Sequence, residues 1–210
     1  LNRFDGYQFK QYHLDANNPN SLPDKFVRQL YVDQQGTLWV ATNGGLARYN
    51  AHSDNFTRFN SQNTQLADDL IVAIGRGLDG KLWVTDKNHL YEYDEKQQNF
   101  HRIRLANTEI FPETKSILVK DDRLWLGSYG HGIQIYQVDS NSLYGLDGQN
   151  PWQLQIDASF LHDIKVINNQ YWLATEQGVF ILNEQLQLLR HLHTGSQPAI
   201  VSNLVQSIEQ

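Results

Sequence analysis

The sequence predicts an all-β fold, a β-propeller of four-stranded antiparallel blades. Three observations lead there. A tryptophan with a constant neighbourhood returns at Trp39, Trp83, Trp125 and Trp172, at intervals of roughly 42–47 residues, and self-similarity at such a period marks a repeat architecture. Each interval holds four short runs with strand-like alternation, enriched in β-branched and aromatic residues. Three residues before each of those tryptophans stands Gly36, Gly80, Asp122 or Asn169. All four are of types that tolerate a positive φ, as a tight hairpin requires.

Taken in order, the first unit reads "FVRQLYV", "TLWVAT", "LARYN" and "NFTRFN"; the second reads "LIVAIGR", "KLWVTD", "LYEYD" and "NFHRIRL". The third gives "KSILVK", "RLWLGS", "IQIYQV" and a degraded fourth run near "PWQLQI". The fourth gives "HDIKVI", "QYWLAT", "VFILN" and "QLLRHL". Blades are therefore expected over 26–60, 70–105, 114–156 and 161–193. "NTQLADDLIVAI" looks amphipathic, but the register makes "LIVAI" a first strand. After the tryptophan strand, Gly45, Gly132 and Gly178 hold the second hairpin. His89 takes that place in the second unit, which must turn differently.

Radial packing of such sheets buries both faces of each and leaves only short edges. The recurring tryptophans are expected between blades as packing residues, each removing on the order of 200 Å² from water. Trp152 falls outside the repeat and has no assigned role. Residues 1–20 match the last two strands of a blade, and 203–210 match the first strand of another. Joining the two would need a parallel pairing across a missing strand. The expectation is a partial arc of a larger, about seven-bladed propeller, with unpaired edges open to association, including a homodimer.

The composition narrows the function classes. Charged residues make up 19% and aromatics 11% of 210 residues, so disorder is excluded. The formal net charge is −6 and no basic run stands out, so nucleic acid is not an expected partner. No apolar run is long enough to cross a bilayer, so this segment is not expected to contact membrane. The absence of cysteine excludes disulfides, thiolate metal sites and thiol catalysis.

The unit "VRQLYVDQQGTLWVATNGGLARYNAHSDNFTRFN", and after it "VAIGRGLDGKLWVTDKNHLYEYDEKQQNF", is similar to the two-component regulator propeller repeat. The match weakens through the third and fourth units, where Asp122 and Asn169 replace the turn glycine. The resemblance implies an extracytoplasmic, periplasmic sensor propeller of a bacterial membrane-bound signalling protein. Such a segment binds a ligand or relays a signal to a histidine kinase or diguanylate cyclase output. It implies no catalysis in this segment; enzymatic activity would belong to the parent protein. A propeller lyase or glycoside hydrolase, or a passive protein-interaction platform, are the alternatives.

Candidate chemistry is sparse. Asp33 to Trp39 reads Asp-x-x-Gly-x-x-Trp, one residue longer than a sialidase Asp box. Asp68 and Asp69 are adjacent and point apart. His89, His131 and His162 have no ligand spacing, so no metal or cofactor is expected. The better candidate is a surface built by the second hairpins, with Asn43, His89, Tyr129, His131 and Glu176. Inter-blade connections add Asn17, Asn18, Asn20, Asn63 and Asn107. Imidazole, amide and phenol groups together suit a polar small molecule or glycan.

Overall fold

The computed structural model describes residues 1–76, 80–105, 113–120, 122–128, 130–145, 156 and 160–209. It divides into two compact units, Leu1–Ile103 and Arg104–Gln210. No described helix is long and apolar enough to cross a membrane.

The first unit opens with a hairpin of β1 (Asn2–Phe4) and β2 (Phe9–Gln11). A four-stranded antiparallel sheet follows, in chain order: β3 (Val27–Val32), β4 (Leu38–Thr42), β5 (Gly45–Asn50) and β6 (Asn55–Phe59). A second sheet of the same order holds β7 (Ala73–Arg76), β8 (Leu82–Thr85), β9 (Leu90–Asp94) and β10 (Asn99–Arg102). "LIVAI" thus leads into a strand, and residues 63–72 contain no helix.

Strand alternation sends Trp39 and Ala41 of β4 to one face of the first sheet and Val40 to the other. Trp39 and Ala41 join Leu46 and Phe59 against Ile74, Leu82, Val84, Tyr91, Tyr93 and Phe100 of the second sheet. Trp39 meets Tyr93 edge-on at 5.3 Å between ring centroids. Val40 instead packs with Leu22, Ala47 and Phe56, against which Leu1 and Tyr12 of the N-terminal segment lie.

That segment is fastened at two places. Asp54, at φ 51 in the turn before β6, accepts hydrogen bonds from Tyr12 Oη and Tyr49 Oη, both 2.6 Å, and pairs with Lys10 and Arg3. Those donors, Lys10 first, hold its carboxyl well below the usual range. Arg58 of β6 donates to the carbonyls of Asp15, Asn18, Ser21 and Leu22 at 2.6–3.2 Å, and to Ser21 Oγ.

The second unit repeats the pattern twice. One sheet runs β11 (Thr114–Lys120), β12 (Arg123–Ser128), β13 (Gly132–Gln137) and β14 (Ser142–Gly145). The other runs β15 (Leu161–Ile167), β16 (Gln170–Thr175), β17 (Gly178–Leu182) and β18 (Leu188–Leu192). Trp125 stacks on Tyr171 at 4.7 Å in a core with Ile133, Ile135, Leu161, Ile164 and Phe180. Trp172 lies with Ala174, Ile181, Val205 and Ile208. Trp39, Trp83 and Trp125 are buried as expected, at 2–5% exposure, whereas Trp172 is only partly buried.

Three sequence expectations need correction. The fourth strand of the third unit is Ser142–Gly145, not the run near "PWQLQI", because the chain reverses at once after β13, with Asn141 at φ 49. Residues 151–155, with Trp152, lie outside the described residues. The hairpins before the tryptophan strands are of two kinds, not one. Gly36 (φ 77) closes a longer turn capped by Asp33, while Asn168 (φ 51) and Asn169 (φ 61) form a two-residue turn of the mirror-image type. Residue 121, beside Asp122, is not described. Finally, 203–209 carry no strand assignment, because no second strand pairs with them among the described residues. Even so, Val205 N donates to Thr175 O, as Ile71 N does to Thr42 O in the first unit.

A regularity that alternation concealed recurs in the first strands of three sheets. β3, β11 and β15 each bulge at one position, between Val27 and Gln29, Thr114 and Ser116, and Leu161 and Asp163. The bulge turns the following polar side chain onto an amide of the segment that follows the blade, a first strand in two cases and residues 203–209 in the third. Gln29 Oε1 accepts from Ile74 N at 2.7 Å, Ser116 Oγ from Ile164 N at 3.1 Å, and Asp163 Oδ2 from Ile208 N at 3.1 Å.

Candidate functional site

The second hairpins present the residues that the sequence singles out. Each tryptophan strand ends in a buried hydroxyl residue, Thr42, Thr85, Ser128 or Thr175. Thr42 Oγ1, Ser128 Oγ and Thr175 Oγ1 donate to the carbonyls of Gly45, Gly132 and Gly178 at 2.7–3.1 Å. These glycines have φ of 123°, 57° and 115°. At Gly45 and Gly178 the neighbouring fourth strand also crowds the site: a Cβ would fall 2.4 Å from Phe59 O and 2.1 Å from Leu192 O. Hence only glycine fits there.

His89 replaces that glycine in the second blade, and the turn is held by a carboxylate instead. Asp86, 1% exposed, accepts from the amides of Asn88 and His89 through Oδ1, both 2.8 Å. Its Oδ2 lies 2.8 Å from His89 Nδ1 and accepts from Tyr91 Oη at 2.7 Å. Tyr91 Oη in turn accepts from Ala67 N at 3.0 Å. Burial, with Asp86 beside it, pushes the Tyr91 phenol well up. His89 is therefore tied into a turn-forming network. Asn43 is engaged as well, accepting from Arg28 Nε at 2.7 Å.

His131 and Glu176 are exposed, and Tyr129 lies outside the described residues. His162, beside the bulge of β15, stacks on Phe160 at 5.7 Å, and its Nε2 is buried without a partner. Burial lowers its affinity for a proton; Glu176 acts in the opposite sense and Lys115 in the same sense. Below the ordinary histidine value near 6.5, the unfolded chain takes up a proton that folded His162 resists. Stability contributed there is present above about pH 6.5 and is lost as the pH falls. A fall in melting temperature between pH 7 and pH 5, flattened in His162→Gln, is the expected result.

Two residues of this edge escaped sequence reasoning. Arg28 and Lys115 occupy the bulges of β3 and β11, equivalent to His162. Only the bulge distinguishes them from ordinary strand residues.

The inter-blade asparagines take part in local hydrogen bonds, Asn18 and Asn63 through their side chains and Asn17 and Asn20 through the backbone. Asn18 Oδ1 accepts from Asn20 N, and Asn17 N donates to Asp15 Oδ1. Asn63 Nδ2 donates to Arg58 O, and Asn20 O accepts from Phe56 N. Asn107 lies outside the described residues. Asp33, 7% exposed, also does structural work: it caps the amides of Gln35 and Thr37 and accepts from Trp39 Nε1 at 3.0 Å. Trp172, behind its two-residue turn, has no such acceptor for its indole nitrogen. Among the described residues no group of three or more His, Cys, Asp or Glu could hold a metal ion.

The family described as "Two component regulator propeller" matches residues 21–44. No curated protein matches the chain. The extracellular domain assigned to the hybrid two component system BT3049 of B. thetaiotaomicron superposes with a TM-score of 0.69 at 18% identity, covering 100% of this chain and 34% of that one. The extracellular domain assigned to BT4673 of the same organism gives 0.70 at 20% identity, over 94% of this chain and 25% of that one. Virginiamycin B lyase from Staphylococcus aureus gives 0.61 at 14% identity, over 81% and 56%. The chain thus spans about a third or less of the first two neighbours, whose identities speak to fold alone. Carrying four such blades, the chain has a β-propeller fold, and its residues 21–44 match the two component regulator propeller repeat.

Proposed function

We propose that this chain is a segment of an extracytoplasmic sensor propeller in a bacterial signalling protein, where it binds a polar ligand or passes a signal to an output domain. The observation that carries this reading is the repeat at residues 21–44, set on blades whose solved neighbours include extracellular domains of two-component systems. The second hairpins of the second unit are the proposed contact surface, where His131 and Glu176 are exposed. In the corresponding hairpins of the first unit, Asn43 and His89 are braced by Arg28 and Asp86. Tyr129 belongs to the same proposal.

The test is a thermal-shift panel of glycans and small metabolites on the chain, repeated on His131→Ala and Glu176→Ala. Both variants should melt within about 1 °C of the parent, since exposed substitutions change stability little. A ligand that stabilises the parent should lose tenfold or more in affinity in at least one of them. Unchanged affinity in both would move the contact surface elsewhere.

A further inference from the structure

A second cavity lies on the opposite edge of the first unit, where the first and third hairpins of its two blades meet. It encloses about 310 Å³ and is lined by Gln35, Thr37, Trp39, Arg48, Tyr93 and Glu95, among others. We propose that it binds a small monocarboxylate with a polar body, with Arg48 as the anchor.

Arg48 sits opposite Trp39 on β5. Its guanidinium carbon lies 5.9 Å from the Trp39 ring centroid and 5.7 Å from that of Phe59. Its only hydrogen bond among the described residues is a long one, 3.5 Å from Nη1 to Tyr93 Oη. No described carboxylate pairs with it. A guanidinium has five donors in a planar fork, and a carboxylate matches that fork with two parallel bonds. The aromatic rings hold the fork in place, so little freedom is lost when it engages a partner.

The surroundings select the charge. Asp33 lines the same cavity, but its oxygens are occupied by the Gln35 and Thr37 amides and the Trp39 indole. Lys81, immediately before β8, is paired with Glu92 at 2.9 Å. Among the described lining residues Arg48 is therefore the single cation offered, and Glu95 opposes a second negative charge. A dianion such as phosphate is disfavoured. The side chains of Gln35 and Thr37 make no hydrogen bond with another described residue and are placed to bind hydroxyl or amide groups on the rest of the ligand. This site does not depend on whether the chain relays a signal.

The test is a titration of the ¹⁵N-labelled chain followed at the Trp39 indole N–H, assigned with Trp39→Phe. The probes are lactate and galacturonate, their neutral counterparts lactamide and galactose, and inorganic phosphate. A carboxylate should shift the Trp39 resonance saturably, with its neutral counterpart and phosphate at least tenfold weaker. Arg48→Lys should weaken binding tenfold or more, and Arg48→Met should abolish it with the remaining amide spectrum intact. Lys81→Gln should leave binding unchanged. The proposal is overturned if neither carboxylate moves Trp39, if the neutral compounds or phosphate bind as tightly, or if Arg48→Lys binds like the parent.

Discussion

Trp39→Ala is expected to destabilise the chain by about 4 kcal/mol, whereas Trp172→Ala should cost roughly half as much. Trp39 is buried in a continuous aromatic cluster with Phe59, Tyr93 and Phe100. Its removal opens a cavity between two sheets whose backbones are fixed by full ladders, so the gap cannot close. It also leaves one oxygen of buried Asp33 without its indole donor. Trp172 occupies the equivalent strand position, but among the described residues of its cluster only Val205 and Ile208 come from beyond its own sheet. Its indole nitrogen has no acceptor to lose, and its surroundings can relax or admit water. Urea denaturation of the two variants against the parent measures the difference. Equal losses would show that the two interfaces are packed alike.

Asp86→Ala is expected to cost about 3 kcal/mol, an unusual amount for a turn residue. One carboxylate serves two backbone amides, the His89 ring and the Tyr91 hydroxyl. Tyr91 is fully buried, so no water replaces its lost acceptor. Asp86→Asn keeps an acceptor for the amides and should cost less. Tyr91→Phe removes the hydroxyl that would otherwise be orphaned. In the double variant Tyr91→Phe, Asp86→Ala, part of the loss should therefore be recovered. Chemical denaturation of the three variants gives the coupling directly. If the losses simply add, Asp86 does not act through Tyr91.

The blades were legible in the sequence because their signals are local. Alternation, a tryptophan at fixed register and glycine at the turns each reflect a backbone requirement that one residue satisfies. The first-strand bulges were not legible. An extra residue such as Arg28 or Lys115 looks like one more strand position until its partner strand is known. The fourth strand of the third unit was misplaced because "SLYG" is short and half exposed, and "PWQLQI" has the stronger strand composition. The site was harder still. Asparagine in a connection can bind a ligand or satisfy its own turn, and the sequence reads the same in both cases. The side chains of Asn18 and Asn63 serve their turns. Arg48 gave no signal, since its cavity exists only where two blades meet.

The N-terminal hairpin is pinned to the first blade at two points, by Asp54 at its strands and by Arg58 along the connector that follows. A body held by one pin can swivel; held by two, it moves only with its mount. Tilting the hairpin would have to break the Asp54 cluster or pull carbonyls off Arg58, and both lie on or beside β6. A force applied at β1 and β2 is thus delivered to the outer edge of the blade as a rigid lever would deliver it, with little lost in slack.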